Sequence, residues 1–498
     1  MKFLLDHKEM KAVDMYSINT VGIPSLVLME RAALKVAEHL LRVITKKDKI
    51  LAVSGSGNNG ADAVAAARIL FNMGYQTEVY LAVPSDRISD ELKVQLNVAK
   101  NLNIPVYIRE KPDLSDYDWL IDGVFGIGLS RNVEGFYAEV IDDMNRADAK
   151  ICAVDIPSGI FADNGQILGC AVKADMTVTF GFDKIGMVLY PGALYAGELF
   201  VEDIGFAKDV EAQVKPKVMA MTGDDLKKVL PKRMPWSNKG TYGRLLVIAG
   251  KKNMCGASCL CAKAAYKMGT GLVKIAAPEQ NRQIIQTLLP EAVLETYDSE
   301  TLSRQWIIKQ LTWADAVVIG PGLGTGPETE LFLQCVLEQT KPAVIDADGL
   351  NVLAKHTDWL KWRQCPVIVT PHLGEMSRLI QTPVEDISRH LIEVCEDFAK
   401  RYDVICVLKD ARSVISDGKG HTCINLSGNN GMSIGGSGDV LAGIIGGLIC
   451  GHEDLPLWFM AAGGAYIHGL CGDEAKKVQG VYGLLASDII QYMSSVVK

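Results

Sequence analysis

Lys49-Ile50-Leu51-Ala52-Val53-Ser54-Gly55-Ser56-Gly57-Asn58-Asn59-Gly60-Ala61-Asp62 runs a short apolar stretch into a glycine-rich turn, and a helical segment from Ala63 to Met73 follows. Strand, glycine turn and helix in that order gather free N–H groups and the positive end of a helix dipole at one point, which suits a phosphate. The unit decides the fold class because the alternation continues. Strands are expected at Thr77 to Val83, Pro105 to Ile108, Trp119 to Asp122 and Lys150 to Val154, with helices at Asp90 to Asn101 and Tyr137 to Asn145. Alternating strands and helices imply a parallel sheet that binds ligands outside the carboxyl ends of its strands. Asn58, Asp122 and Asp155 all fall at such ends.

Upstream, Leu5 to Leu41 reads as helices, the clearest beginning at Ser25 after the breakers Gly22 and Pro24. Between Glu202 and Thr222 the rhythm lapses, and the domain boundary is expected there, giving domains 1–215 and 222–498. A second alternating region then opens with strand Arg244 to Ala249, helix Ala257 to Met268 and strand Leu272 to Ala276. Strands Ala316 to Ile319, Ala343 to Ile345, Val367 to Thr370 and Val404 to Leu408 follow, each running into a polar or glycine-rich loop. The last such loop is Asn430-Gly431-Met432-Ser433-Ile434-Gly435-Gly436-Ser437-Gly438-Asp439, and the apolar run Val440 to Cys450 comes directly after it. A carboxylate at a phosphate-cradling helix start is explained either as a base that takes a proton from an attacking hydroxyl or as a helix cap shared with Ser437.

At 498 residues the chain exceeds one ordinary core. With 48% hydrophobic and 22% charged residues it is globular, and a net charge of −8 argues against a general nucleic-acid binder. The N-terminus carries charge directly after a very short apolar run, and Val440 to Cys450 is about half a membrane span. A cytoplasmic protein with no membrane or nucleic-acid partner is therefore expected. The 12 cysteines lack any C-x-x-C pair and read as reduced, mostly buried thiols.

Individual motifs leave alternatives open. Gly55-x-Gly57-x-x-Gly60 matches the dinucleotide fingerprint of dehydrogenases, but Val83-Pro84-Ser85 stands where a ribose-binding acid belongs, and Glu78 comes too early. Asn59, Asp122 and the Ser158 region offer oxygen ligands of the kind a hard cation prefers, whereas Asn59 and Asp62 also suit helix capping. His372 is either a site residue or a satisfied turn histidine, and Glu375 either holds Mg²⁺ through water or caps a helix. Asp346 and Asp348 point to opposite faces if both are still in the strand. Lys409 and Arg412, just after a buried strand, can meet nucleotide phosphates or solvent.

Taken together, these segments resemble the bifunctional NAD(P)H-hydrate repair enzymes over nearly the whole chain. In the first half the likeness lies in Gly22 to Glu30, Asn58 to Asp62, Asp122 to Leu129 and Val154 to Gly159. In the second it lies in Gly320 to Gly324, Asp346 to Asn351, Pro371 to Met376, Lys409 to Arg412 and Gly435 to Asp439. The resemblance implies a Rossmann-like three-layer epimerase domain followed by a ribokinase-like α/β dehydratase domain. It implies damaged NADH or NADPH as substrate, with water added across a nicotinamide double bond, and ADP or ATP as co-substrate with Mg²⁺. The first domain would interconvert the R and S forms, and the second would phosphorylate and dehydrate the S form.

By the same resemblance the first domain binds substrate through Asn58, Asn59, Gly60, Ala61 and Asp62, through Gly126, Ile127, Gly128, Leu129, Ser130, Arg131 and Asn132, and through Asp155, the acid/base candidate. Asn59, Asp122 and Ser158 would hold K⁺. In the second domain Ala257, Gly322, His372 and the base Asp439 would bind substrate, and Lys409, Asp410, Ala411, Arg412, Ser413 and Gly438 the nucleotide. A homo-oligomer, a tetramer, is implied too. The chain departs from the family pattern at Ala61 and Ala63, where glycines are usual, at Ser437, where threonine is usual, and at Gly349, where alanine is usual. The rivals are a ribokinase-like small-molecule kinase, a non-catalytic first-half binding module, and a dehydrogenase.

Overall fold

Successive side chains of a strand leave on opposite faces of its sheet, and the first-half apolar runs divide accordingly. Ile50, Ala52, Trp119, Ile121, Cys152 and Val154 enter one core, while Leu51, Val53, Leu120, Ile151 and Ala153 enter another. A sheet buried on both faces needs apolar residues at every position, which is why these strands read as unbroken runs. The structure, a computed structural model, describes residues 1–83, 87–108, 110–230, 233–451 and 454–497, so Pro84 and Ser85 of the dehydrogenase test lie outside the described residues. Two units emerge, Phe3–Lys217 and Val218–Lys498, the second also including Met1–Lys2.

The first unit contains a seven-stranded parallel sheet. Its strands are β1 (Lys49–Ser54), β2 (Gln76–Leu81), β3 (Val106–Ile108), β4 (Trp119–Gly123), β5 (Lys150–Val154), β6 (Met176–Phe180) and β7 (Glu198–Glu202). They lie in the order β3-β2-β1-β4-β5-β6-β7. This doubly wound order reverses direction between β1 and β4, and a crevice opens at such a switch point. One face is covered by helices Ser25–Leu40, Asn58–Asn72 and Asp90–Asn101, the other by Phe136–Arg146. The helix expected from Ala63 starts at Asn58, so the second half of the glycine-rich turn is its first turn. A Cβ on Gly60 would stand 2.4 Å from the Gly55 carbonyl oxygen, so the turn can close only around glycine there.

In the second unit β8 (Val218–Ala220), β9 (Arg244–Ile248), β10 (Leu272–Pro278), β11 (Val293–Tyr297), β12 (Ala316–Ile319), β13 (Ala343–Ile345), β14 (Val367–Val369), β15 (Ile405–Leu408), β16 (Val414–Ser416) and β17 (Thr422–Ile424) follow in sequence. Their order in the sheet is β11-β10-β9-β12-β13-β14-β15-β16-β17-β8. The pairs β15·β16 and β16·β17 are antiparallel, and the other neighbours are parallel. Helices Cys255–Lys267, Ser437–Gly451, Leu457–Gln479 and Ala486–Val496 bury their apolar sides in one core on this sheet. The glycines of Ser437–Gly451 let it press close: a Cβ on Gly443 would lie 2.1 Å from the Cys261 carbonyl oxygen. All twelve cysteines are free. Among the described residues no helix is long and apolar enough to cross a membrane.

Candidate active sites

The turns after β1 and β4 and the ends of β5 and β6 enclose a cavity of about 760 Å³ in the first unit. Asn58, Asn59, Asp62, Gly126, Ile127, Gly128, Leu129, Ser130, Arg131 and Asp155 line it. Gly60, Ala61 and Asn132 belong to the same turns but do not, and Ala61 is wholly buried in the helix.

Asp155 follows β5 with φ +66°, a left-handed conformation that side chains other than glycine rarely hold. Its N–H donates to the Val178 carbonyl at 2.8 Å. The fully buried Lys184 ammonium donates to Asp155 Oδ1 at 2.6 Å, to Thr179 Oγ1 at 2.7 Å and to the Phe180 carbonyl at 3.0 Å. Thr179 Oγ1 donates to the same Oδ1 at 3.1 Å, and among the described residues Oδ2 accepts nothing. One carboxylate oxygen is thus fixed and the other left free to react. Strain of this kind persists where surrounding contacts over-determine it.

Two further carboxyls face the cavity. Burial, then the nearby Asp155, Asp14 and Glu91 charges, raises Asp62 well above the usual carboxyl range. Burial and the Asp155 charge push Asp14 up to about 6, against a smaller opposing pull from Lys184. Neither Asp14 nor Lys184 was found by sequence reasoning. Asp14 carried a usable signal: with Met10 and Val13 buried in the helix His7–Met15, it lies four residues after Met10 on the apolar side.

Asn59 and Ser158 converge on the Phe125 backbone, and Asp122 is bonded to Ser158 behind it. Asn59 Nδ2 donates to the Phe125 carbonyl at 3.0 Å, and the Phe125 N–H donates to Ser158 Oγ at 2.8 Å. Asp122 is wholly buried, accepting from Ser158 Oγ at 2.6 Å, Ser158 N at 2.8 Å and Val124 N at 3.2 Å. No cationic side chain pairs with it among the described residues, and burial raises it to about 6. A buried carboxyl among carbonyl, amide and hydroxyl oxygens fits an oxygen-liking cation.

In the second unit a cavity of about 590 Å³ is lined by His372, Lys409, Asp410, Ala411, Ser413 and Gly438. Asn425, Ser427, Asn429 and His468 also line it and carried no recognisable motif, whereas Asp439 follows the lining residue Gly438 without lining the cavity itself. Arg412 does not line it and instead donates to the Leu426 carbonyl at 2.6 Å. Ala257 and Gly322 meet each other, a Cβ on Gly322 standing 3.0 Å from the Ala257 methyl, but neither lines this cavity. The buried Asp346 accepts from Lys409 Nζ and from Thr370 Oγ1, each at 2.7 Å, and a Cβ on Gly438 would approach that Nζ to 3.3 Å. Asp348 opens the helix Asp348–Leu353, so the two acids do not share a strand, and its Oδ2 accepts from Gly324 N at 2.7 Å. His372 caps Leu373–Ile380: its Nδ1 accepts from Gly374 N and Glu375 N, while Glu375 accepts from His372 N. Burial, then Lys409 and Arg378, lowers the His372 pKa.

Asp439 lies in the first turn of Ser437–Gly451 and accepts no hydrogen bond among the described residues, so it is not a cap. Burial, then the Asp346 charge, raises it to about 7, with Lys409 opposing. Ser437 Oγ lies 3.3 Å from His468 Nε2, and burial pushes His468 down to about 4, leaving a neutral imidazole at neutral pH. Among the described residues no three His, Cys, Asp or Glu side chains form a metal-binding group.

A Rossmann-ordered crevice in one unit and a lysine- and glycine-lined phosphoryl cradle in the other define an enzyme with two sites for nucleotide-like ligands. Residues 25–186 match the YjeF-related protein N-terminus family, and residues 245–495, half of the chain, match the NAD(P)H-hydrate dehydratase family. The chain belongs to the family of bifunctional NAD(P)H-hydrate repair enzymes: it is 36% identical to the one from Thermofilum pendens, over 98% of this chain and 95% of that one. A ribokinase-like superfamily protein from Enterococcus faecalis superposes with a TM-score of 0.50 at 26% identity, covering 56% of this chain and 96% of that one. The Bacillus subtilis ADP/ATP-dependent NAD(P)H-hydrate dehydratase co-crystallized with ATP/Mg²⁺ is 29% identical, with a TM-score of 0.49 and coverage of 56% and 97%.

Proposed function

We propose that residues 1–215 interconvert the R and S hydrates of NADH and NADPH and that residues 222–498 dehydrate the S hydrate using ADP or ATP. The observation that carries the second step is Asp439, a half-buried carboxylate with no hydrogen-bond partner among the described residues, beside the Lys409–Asp346 pair at a glycine-lined helix start. A base poised near neutral pH takes a proton from a hydroxyl efficiently. The hydroxyl oxygen attacks the terminal phosphorus, and AMP or ADP leaves. Phosphate then departs with the C–O electron pair, and loss of a proton from the neighbouring carbon restores the double bond. Lys409, Gly438 and the helix N-terminus suit the transferring phosphoryl group, whose charge Mg²⁺ carried by the nucleotide would balance.

In the first unit Asp155 Oδ2 is the proton acceptor, and Asn58, Asp62 and the 126–131 loop fit the dinucleotide. Asn59, Asp122, Ser158 and the Phe125 carbonyl would hold K⁺, supplying positive charge beside the crevice.

The test is Asp439→Asn with the S hydrate, ADP or ATP, and absorbance at the reduced-nicotinamide band. Dehydration should fall by about 10³-fold with nucleotide binding intact. In the wild type the base works only when ionised, so the rate should fall as pH drops through about 7. Retained turnover in the variant, or a phosphorylated product accumulating in place of free phosphate, refutes the assignment.

A further inference from the structure

Epimerisation at a hydroxyl-bearing carbon by loss and re-addition of water needs a proton given to the departing oxygen and one taken from the incoming water, on opposite faces. In the first unit's cavity Lys184 balances the charge of Asp155, which suits it to accept. Asp14 lines the same cavity from the separate helix His7–Met15 and makes no hydrogen bond or ion pair among the described residues. A half-buried acid with no structural partner, open to the space where substrate fits, has no packing role to explain it.

We infer that Asp14 is the general acid of the epimerase, protonating the substrate hydroxyl that Asp155 later restores on the opposite face; this rests on the epimerase reading above. Asp14 gives its proton to the hydroxyl oxygen. The C–O bond breaks with its electron pair leaving on water, and the ring-nitrogen lone pair closes a carbon–nitrogen double bond. Water then adds to the other face, its oxygen forming the new C–O bond while Asp155 Oδ2 takes its proton. Exchange with solvent returns that proton to Asp14, so no co-reactant is consumed.

The charged groups around Asp14 are Asp155 and Lys184, with Asp62 from Asn58–Asn72 and Arg131 also on the cavity wall, and Glu91 acting on Asp62. The packed helix Val210–Val214 meets Asp14's helix through the apolar cluster of Leu5, Met10, Val13 and Val210. Titration at about 6 suits a donor that must also recover its proton, and Asp62, on the same cavity wall, is placed to bind substrate.

The experiment follows inversion of purified R hydrate by the full chain in H₂¹⁸O, comparing wild type, Asp14→Asn and Asp62→Asn, with S-hydrate dehydration by each preparation as the folding control. Expected are one solvent oxygen gained per inversion in the wild type, kcat lowered about 100-fold by Asp14→Asn with KM within twofold, and mainly a raised KM for Asp62→Asn. Wild-type kcat should fall as pH rises through about 6, and Asp14→Asn should lose that limb. Inversion without label, or loss of the limb in Asp62→Asn instead, overturns the role of Asp14. A wild type that dehydrates the S hydrate but never inverts the R hydrate overturns the epimerase reading itself.

Discussion

Each unit pairs a lysine with an aspartate at nearly the same distance, 2.6 Å for Lys184–Asp155 and 2.7 Å for Lys409–Asp346, yet uses the pair differently. In the first the paired carboxylate is itself the candidate base, with one oxygen fixed and one free. In the second the pair stands beside the candidate base, and burial, then the charge of Asp346, drives Asp439 up to about 7. Burial, reinforced by a neighbouring anion, makes a carboxylate titrate near neutrality. The difference matches two demands. A hydroxyl about to attack phosphorus needs a base that picks up its proton near working pH, whereas inversion in the first unit divides giving and taking between two carboxyls.

The comparison breaks most sharply at the lysines. Lys409→Met should lower nucleotide-dependent dehydration by about 10²–10³-fold, because the variant loses a charge at the phosphoryl group, with little effect on inversion. Lys184→Met should instead cost stability, about 3 kcal/mol, because Asp155 loses its buried counter-charge. Amide exchange in strands β5 and β6 would read that loss, with dehydration retained. Equal loss of dehydration and no change in exchange would show that the two pairs do the same job.

A smaller effect separates the cations. The first unit is proposed to keep a resident K⁺, whereas the second receives Mg²⁺ with its nucleotide. Replacing K⁺ by choline should lower wild-type inversion, and Asp122→Asn should raise the K⁺ concentration for half-activation at least tenfold. An unchanged K⁺ response in the variant removes Asp122 from the cation site.

How much of this was legible depended on how local the signal was. The β1 turn, the Asp122 and Asp155 strand ends and the Asp439 loop each lie within a short motif, because a strand end and the following helix start fix their geometry together. Strand β6 was missed because its sequence, Met-Thr-Val-Thr-Phe, alternates threonine with apolar residues, like a half-exposed strand, although it is wholly buried. Its Thr177 Oγ1 is satisfied by the Ala196 carbonyl, which no local pattern reveals. The antiparallel β16 and β17 are three residues each, too short to show a period. Lys184 meets Asp155, and His468 meets Ser437, from far away in sequence, so neither residue announces itself.

The smallest expected effect concerns Ala61, where the family pattern has glycine. An alanine whose backbone met the substrate would restrict its close approach. In the structure Ala61 is 0% exposed, its N–H donates to the Gly57 carbonyl at 3.2 Å, and it lies inside the helix rather than on the cavity wall. A glycine there would gain no access and would lose helix propensity and a packed methyl, about 1 kcal/mol in all. Ala61→Gly should therefore lower stability by about that amount in urea unfolding and leave the inversion rate within twofold. A faster epimerase would place the Ala61 backbone against the substrate after all. It would also make the first crevice resemble the second cradle, where glycine at position 438 allows Lys409 its close approach.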